Sequence, residues 1–349
     1  MTTSGATDVQ RLLGVALPII QAPMAGGPDT PALAAAVSNA GGLGSLGCAY
    51  LTPEKIDAVV ADVRQRTERP FALNLFIRAD EPDDAAARER VLPPLGDFRR
   101  ELGLPAEPGL APPPPPFEAQ LEAVLRARPR VFSFTFGAPT REVVAALQQE
   151  RIVVVGTATS VDEAEALAAL GVDAVCAQGA EAGGHRGTFL GRFEDALVGT
   201  MALVPQLVAR VRVPVIAAGG IMDGGAIRAA LALGAAAVQL GTAFLVCPEA
   251  GTAAPHREAL ASARRTVVTR AFSGRAARGI RNRFSDAFER LEAAPFPQQQ
   301  RLTAELRAAA VAAGRTDLMQ MWAGQAAPLV RAMPAAALVE TLAREAGLA

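Results

Sequence analysis

Apolar runs without polar alternation recur along this chain, each followed by an alanine-rich amphipathic stretch. In "RIVVVGTATSVDEAEALAALGVDAVCAQG", from Arg151, a β-branched run leads through such a stretch to Leu-Gly and a second apolar run. The same order returns in "VPVIAAGGIMDGGAIRAALALGAAAVQLGT" from Val213. Short unbroken apolar runs suit strands buried on both faces, as in a parallel sheet covered by helices, so each repeat reads as a βαβ unit. The same grammar predicts strands at 18–22, 42–47, 71–77, 131–136, 152–156, 173–178, 215–218 and 236–240. Eight strands alternating with helices predict an α/β fold, a closed (β/α)8 TIM barrel rather than an open doubly wound sheet.

Two segments depart from that grammar. Residues 78–128 contain "RADEPDDAAARERV" and "APPPPPFEAQ", whose five successive prolines cannot form helix. They read as a partly helical insertion after the third strand, over the barrel mouth, with a linker between separate domains as the alternative. From His256 onward strand patterning is absent and short helical runs alternate with glycine or proline. The expected organisation is therefore a barrel over 1–255, carrying the insertion, and a C-terminal helical cap over 256–349.

Composition narrows the class. Half of the residues are hydrophobic, the net charge is −1 and Lys55 is the only lysine, so there is no basic footprint for nucleic acid. Cys48, Cys176 and Cys247 are far apart and form neither a CxxC pair nor a disulfide framework, which fits a reducing, cytoplasmic setting. "LLGVALPII" after Arg11 mimics a signal-peptide core, but Asp8 before it and Gln21 after it favour a buried strand. "AALALGAAAVQLGTAFLVC" from Ala229 is broken by Leu233-Gly234 and by Gln239, Gly241 and Thr242, as a helix end, turn and strand would be. No membrane partner is expected.

The chemistry is sparse. "GGLGSLG" has G-x-G-x-x-G spacing at Gly42, Gly44 and Gly47, yet it follows a helical run and itself reads as strand, the reverse of a dinucleotide fingerprint. His185, one of two histidines, lies in "AQGAEAGGHRGTF"; no carboxylates or cysteines gather with it, so no metal site is expected. In a barrel, phosphate is commonly held by the loops after strands seven and eight, here Gly219-Gly220 and Gly241-Thr242, although close strand-to-helix packing also selects glycine. Asn74 and Gln178 end two otherwise apolar strands, where an amide can read the edge of a flat heterocycle or simply be satisfied in the core.

In order and spacing, "PIIQAPMAGG", "FALNLF", "AQGAEAGGHRGTF", "IAAGGIMDGG" and "VQLGTAF" resemble the motifs of the FMN-dependent nitronate monooxygenases, formerly 2-nitropropane dioxygenases. The resemblance covers 18–244, with a further patch at "RAFSGRAARGIRN". It implies flavin contacts from Ala22, Pro23, Met24, Asn74, Gln178, Gly183 and Gly220, and from Gln239, Leu240, Gly241 and Thr242. It also implies that His185 is the active-site histidine, binding a small nitronate that O2 oxidises to a carbonyl compound and nitrite. With an ordinary pKa near neutrality, that ring is also expected to serve as base toward a neutral nitroalkane. A flavin-dependent reductase of the same superfamily and a barrel that only binds flavin are the alternatives. The state of association is open between monomer and homodimer, and the proline-rich insertion is where pocket shape departs from the family.

Overall fold

Strands that are apolar on both faces need cover on both, and this sequence provides it by closing its sheet into a ring. The structure, a computed structural model, describes residues 7–78 and 83–349, so 79–82 of the expected insertion lie outside the described residues. Strands β1 (Ile19–Gln21), β2 (Gly44–Gly47), β3 (Phe71–Phe76), β4 (Val131–Thr135), β5 (Val153–Ala158) and β6 (Ala174–Gln178) are parallel. After a two-residue strand β7 (Gly184–His185) come β8 (Val215–Ala218) and β9 (Ala237–Leu240). The barrel order is β1-β9-β8-β6-β5-β4-β3-β2, and a parallel bridge from Ile20 to Leu43 joins β1 to β2. All eight expected strands are present, with ends shifted by at most two residues.

The inside of the ring is filled by small and branched side chains, among them Ile20, Ala72, Val131, Val155, Cys176, Ile216 and Ala237, with Val9 and Leu13 of the first helix packed on them. Outside, the helices lie close enough to demand glycine. A Cβ on Gly44 would stand 2.0 Å from the Ala34 carbonyl oxygen, inside any permissible contact. Gly44 therefore serves packing of the helix Pro31–Asn39 on β2, while a Cβ on Gly47 would meet the Ala25 backbone at 2.5 Å, and the stretch is strand, as its context predicts.

Two expectations are corrected. The helix Phe117–Ala127 packs on the helix Pro53–Arg66 and on β3, which makes it a barrel helix, so the insertion ends with the proline run at 116 and not at 128. What remains of it is the helix Ala85–Glu101, whose Ala87, Val91, Leu95 and Phe98 share a core with Phe272, Phe284, Leu302 and Leu306 of the C-terminal segment. That segment is not wholly helical either. Strands β10 (Thr266–Thr269) and β11 (Ala277–Ile280) pair antiparallel with each other and with β7, giving the order β10-β11-β7. Four-residue strands such as "ARGI" carry no readable alternation; pairing with the barrel loop sets them.

The chain then returns to the barrel. Its last helix, Ala335–Ala346, packs against the helices Pro31–Asn39 and Gly224–Ala232 and so occupies the outer ring, some 90 residues after the last barrel strand. Among the described residues no helix is long and apolar enough to cross a membrane. Leu342, fully buried in that last helix, tests its place in the core. Leu342→Ala should cost about 2–5 kcal/mol in denaturant unfolding, as for a core leucine. A loss below about 0.5 kcal/mol, typical of surface positions, would place the helix outside the core.

Candidate active site

The C-terminal ends of the barrel strands open on a cavity of about 530 Å³. All of the residues singled out from sequence line it. Ala22, Pro23 and Met24 follow β1, Asn74 belongs to β3 and Gln178 ends β6. Gly183 and His185 come from the next loop and β7, Gly219 and Gly220 follow β8, and Gln239, Leu240, Gly241 and Thr242 complete the ring at β9.

One wall of the cavity is backbone. Gly219 and Gly220 have φ of 120° and 71°, a pair of left-handed conformations that glycine adopts without strain. Gly183 backs directly onto the C-terminal segment, where a Cβ would lie 2.5 Å from the Gly324 nitrogen. The Gly324 N–H in turn donates to Thr242 Oγ1 at 3.0 Å, leaving the threonine proton to donate elsewhere. Asp29 holds the loop after β1, accepting from the Met24 and Gly47 N–H groups at 2.7 and 2.6 Å; burial pushes its carboxyl up to about 6.

The two strand-end amides divide their work. Gln178 Nε2 donates to the His185 carbonyl (3.0 Å) while its Oε1 accepts from Gly187 N–H (2.8 Å), so this side chain shapes the histidine loop. Asn74 Nδ2 donates to Ser133 Oγ (2.9 Å). Each keeps one amide N–H uncommitted. Four cavity-lining residues carry buried polar atoms with no protein partner: Thr135 Oγ1, Thr252 Oγ1, His256 Nε2 and Gln300 Oε1. Such atoms are open to a polar ligand or to water, because each costs free energy while unpaired.

His185 is held from both sides. Its backbone pairs with Ala277 in β11, and its Nε2 lies 2.9 Å from Ser273 Oγ. Ser273 Oγ also lies 3.1 Å from the Arg275 carbonyl and accepts from Arg275 N–H (3.3 Å); we assign its one proton to that carbonyl, which makes Nε2–H of histidine the donor to Ser273 and leaves Nδ1 unprotonated. The ring stands among Trp322, Phe136, Phe296 and Phe76, at centroid distances of 5.4, 5.5, 6.1 and 6.3 Å. Burial in this setting, reinforced by the Arg275 and Arg307 guanidinium groups, pushes its pKa down to about 3. The ring expected to titrate near neutrality is therefore a fixed neutral imidazole.

Phe136 contributes to that setting through strain. Its φ of 79° is one that bulky residues avoid, at a cost of about 1–3 kcal/mol. The reward is placement: its ring stacks near Phe76 (4.2 Å) and beneath the Arg275 guanidinium (3.9 Å). Arg275 also donates to the Arg186 and Thr188 carbonyls, tying the histidine loop to the cap. Ser273, Arg275, Phe296, Arg307 and Trp322, all from the C-terminal segment, escaped the sequence reading; only the family-like patch "RAFSGRAARGIRN" marked two of them. Among the described residues no group of three His, Cys, Asp or Glu side chains is placed to hold a metal ion.

Comparison with known proteins agrees with this geometry. The family model described as nitronate monooxygenase matches residues 9–345. A nitronate monooxygenase of Pseudomonas aeruginosa is 47% identical, the match covering 96% of this chain and 97% of that one. A probable nitronate monooxygenase of Staphylococcus aureus is 40% identical over 95% of each. Among solved structures, a nitroalkane oxidase from Streptomyces ansochromogenes superposes with a TM-score of 0.92 at 42% identity, covering 98% of both chains. FabK from Thermotoga maritima follows at 0.77 and 29% identity, covering 99% of this chain and 97% of that one. By sequence over nearly its whole length, and by the barrel and cap that its relatives share, this chain belongs to the nitronate monooxygenase family.

Proposed function

We propose that this protein oxidises small alkyl nitronates with O2 to a carbonyl compound and nitrite, using FMN. The observation that carries the reading is a neutral, desolvated imidazole lying in the positive field of Arg275 and Arg307, inside the cavity that the glycine loops line. A nitronate is an anion, and a cavity end flanked by two guanidinium groups favours it electrostatically.

The residues present fit the flavin. Gly219-Gly220 and Gly241-Thr242 would hold the phosphate through backbone N–H groups and the threonine hydroxyl, and Asn74, Gln178 and the unpartnered Thr135 hydroxyl would meet polar edges of the ring system. FMN, when bound, supplies the electron transfer and oxygen chemistry that no side chain here can. The chain's own part is to bind, orient and keep dry. Phe76, Phe136, Phe296 and Trp322 exclude water around His185, while Ser273 fixes which nitrogen faces a substrate.

Nδ1 is an acceptor with an intrinsically low proton affinity in the free cavity. It is a weak base for removing the α-proton of a neutral nitroalkane, and an already formed anion needs no such step. Nitronates are thus the preferred substrates. An arriving anion also raises the imidazole pKa, by the ordinary effect of opposite charge.

Three outcomes follow. Anaerobic enzyme should have its flavin bleached by ethyl or propyl 1-nitronate, and in air should consume O2 and release nitrite; rapid bleaching by NADH or NADPH with no response to nitronates would reverse the assignment to a reductase. His185→Ala should keep its flavin and lose about 10–10²-fold in kcat/KM for nitronates, the effect of removing one hydrogen bond to a charged group, and unchanged kinetics would remove the role. Thr242→Asp places a negative charge at the phosphate and should purify without flavin; stoichiometric FMN in that variant would put the phosphate elsewhere.

A further inference from the structure

Behind the glycine wall of the cavity stands a carboxylate, Glu181, in the loop between β6 and β7. It reaches the start of the helix Thr200–Arg210, whose N-cap is Gly199 and which has no capping side chain of its own. The two carboxylate oxygens accept from the Thr200 N–H at 3.0 and 2.8 Å. Thr200 Oγ1 stands 2.8 Å from one of them and 3.0 Å from the Gly219 carbonyl, so its proton serves both. A helix N-terminus left open is a ready anion site. Here the protein's own carboxylate fills it.

Four glycines close on this acid–threonine pair. A Cβ at Gly179 would stand 1.9 Å from Thr200 Oγ1, and one at Gly199 would stand 3.0 Å from a Glu181 oxygen. At Gly219 it would lie 2.8 Å from Thr200 Oγ1, and at Gly220 3.3 Å from Glu181 Cβ. The Gly219–Gly220 turn is thus shaped from behind by the pair. On its other side the Glu181 carbonyl accepts from Gln325 N–H (2.9 Å), next to Gly324, whose N–H donates to Thr242 Oγ1. One residue therefore braces both glycine loops of the wall. Its negative charge is offset locally, by the helix N-terminus and by Arg186 and Arg278, which donate to the Gly179 and Ala180 carbonyls and lie in its field.

We propose that Glu181 is a positioning residue for the phosphate of the cofactor. Through Thr200 it fixes the Gly219–Gly220 turn, and by capping the helix it withholds that N-terminus from the phosphate. It acts by hydrogen bonding and not by charge. The inference rests on the reading that this turn holds the phosphate.

The test uses the full-length protein, freed of flavin by dialysis against bromide and titrated with FMN or with riboflavin, which lacks the phosphate; quenching of flavin fluorescence gives Kd for each. Wild type should bind FMN the more tightly. Glu181→Ala should raise Kd for FMN about 10–10²-fold, the range for a lost hydrogen bond to a charged group, and leave Kd for riboflavin within about threefold. Thr200→Val keeps the N–H bond but removes the hydroxyl, and should shift FMN binding the same way by less. Glu181→Gln should restore FMN binding to within about threefold of wild type, because the amide oxygen can take the Thr200 N–H while its NH2 donates to the hydroxyl and the hydroxyl to Gly219.

Equal weakening of both flavins by Glu181→Ala would make Glu181 a general brace of the fold and overturn the proposal. Tighter FMN binding in both Glu181 variants would overturn it too, since the carboxylate would then be repelling the phosphate. A wild type that binds the two flavins alike removes the phosphate reading of the turn and the inference with it. A wild type that prefers FMN, with that preference unchanged in Glu181→Ala, removes the inference alone.

Discussion

Desolvation of the His185 ring governs the design of this molecule. An imidazole left in water would titrate near neutrality, spend part of its time as a cation and rotate freely. Surrounded by four aromatic rings and bonded through Nε2 to Ser273, it is held neutral and in one tautomer. The positive charge at this end of the cavity is thereby moved onto arginines, which cannot lose it under ordinary conditions. Binding of an anion and acceptance of a proton become separate duties of separate groups.

Holding the ring there engages much of the surrounding structure. Gln178 and Arg275 grip the backbone from His185 to Thr188, and Arg186 donates to the Gln178, Gly179 and Ala196 carbonyls beneath it. The Glu163 carboxylate, fully buried, accepts from the Thr159, Phe189 and Leu190 N–H groups and so pins the far end of the same loop. The barrel supplies the glycine wall and the amides; the cap supplies Ser273, Phe296, Arg307 and Trp322. Neither alone forms the cavity. The insertion helix and the cap share one apolar core, with Glu101 bridging Arg283 and Arg315, so the cap is braced by a segment that precedes β4 in sequence.

The barrel was legible because its strands are unbroken apolar runs and its βα grammar repeats. So were the lining residues near strand ends, where barrel topology and motif order both point. Less legible was anything whose conformation comes from distant partners. "ARGI" becomes a strand only because His185 and Gly184 lie beside it, and the last helix joins the outer ring although a cap separates it from β9. A proline run hides that the following helix belongs to the barrel, so the sequence alone places the end of the insertion at 128. From sequence Gln178 reads as an amide that either faces a ligand or is satisfied within the protein; it lines the cavity while bonding the His185 loop, a partner no local pattern reveals. The pKa of His185 was least readable of all, since the aromatic rings and arginines that lower it are scattered from Phe76 to Trp322.

The chain contains only two histidines, His185 and His256, so their imidazoles can be followed individually by NMR in uniformly folded holoenzyme. A titration from pH 8 to pH 4.5, with His185→Ala to assign the signals, should show His185 neutral throughout, protonated on Nε2 alone, and His256 neutral over most of the range because burial pulls it down to about 4. A His185 that titrates near 6.5, or that carries its proton on Nδ1, would contradict the view that a neutral ring of fixed tautomer, set in the field of two arginines, makes this cavity a site for an anion.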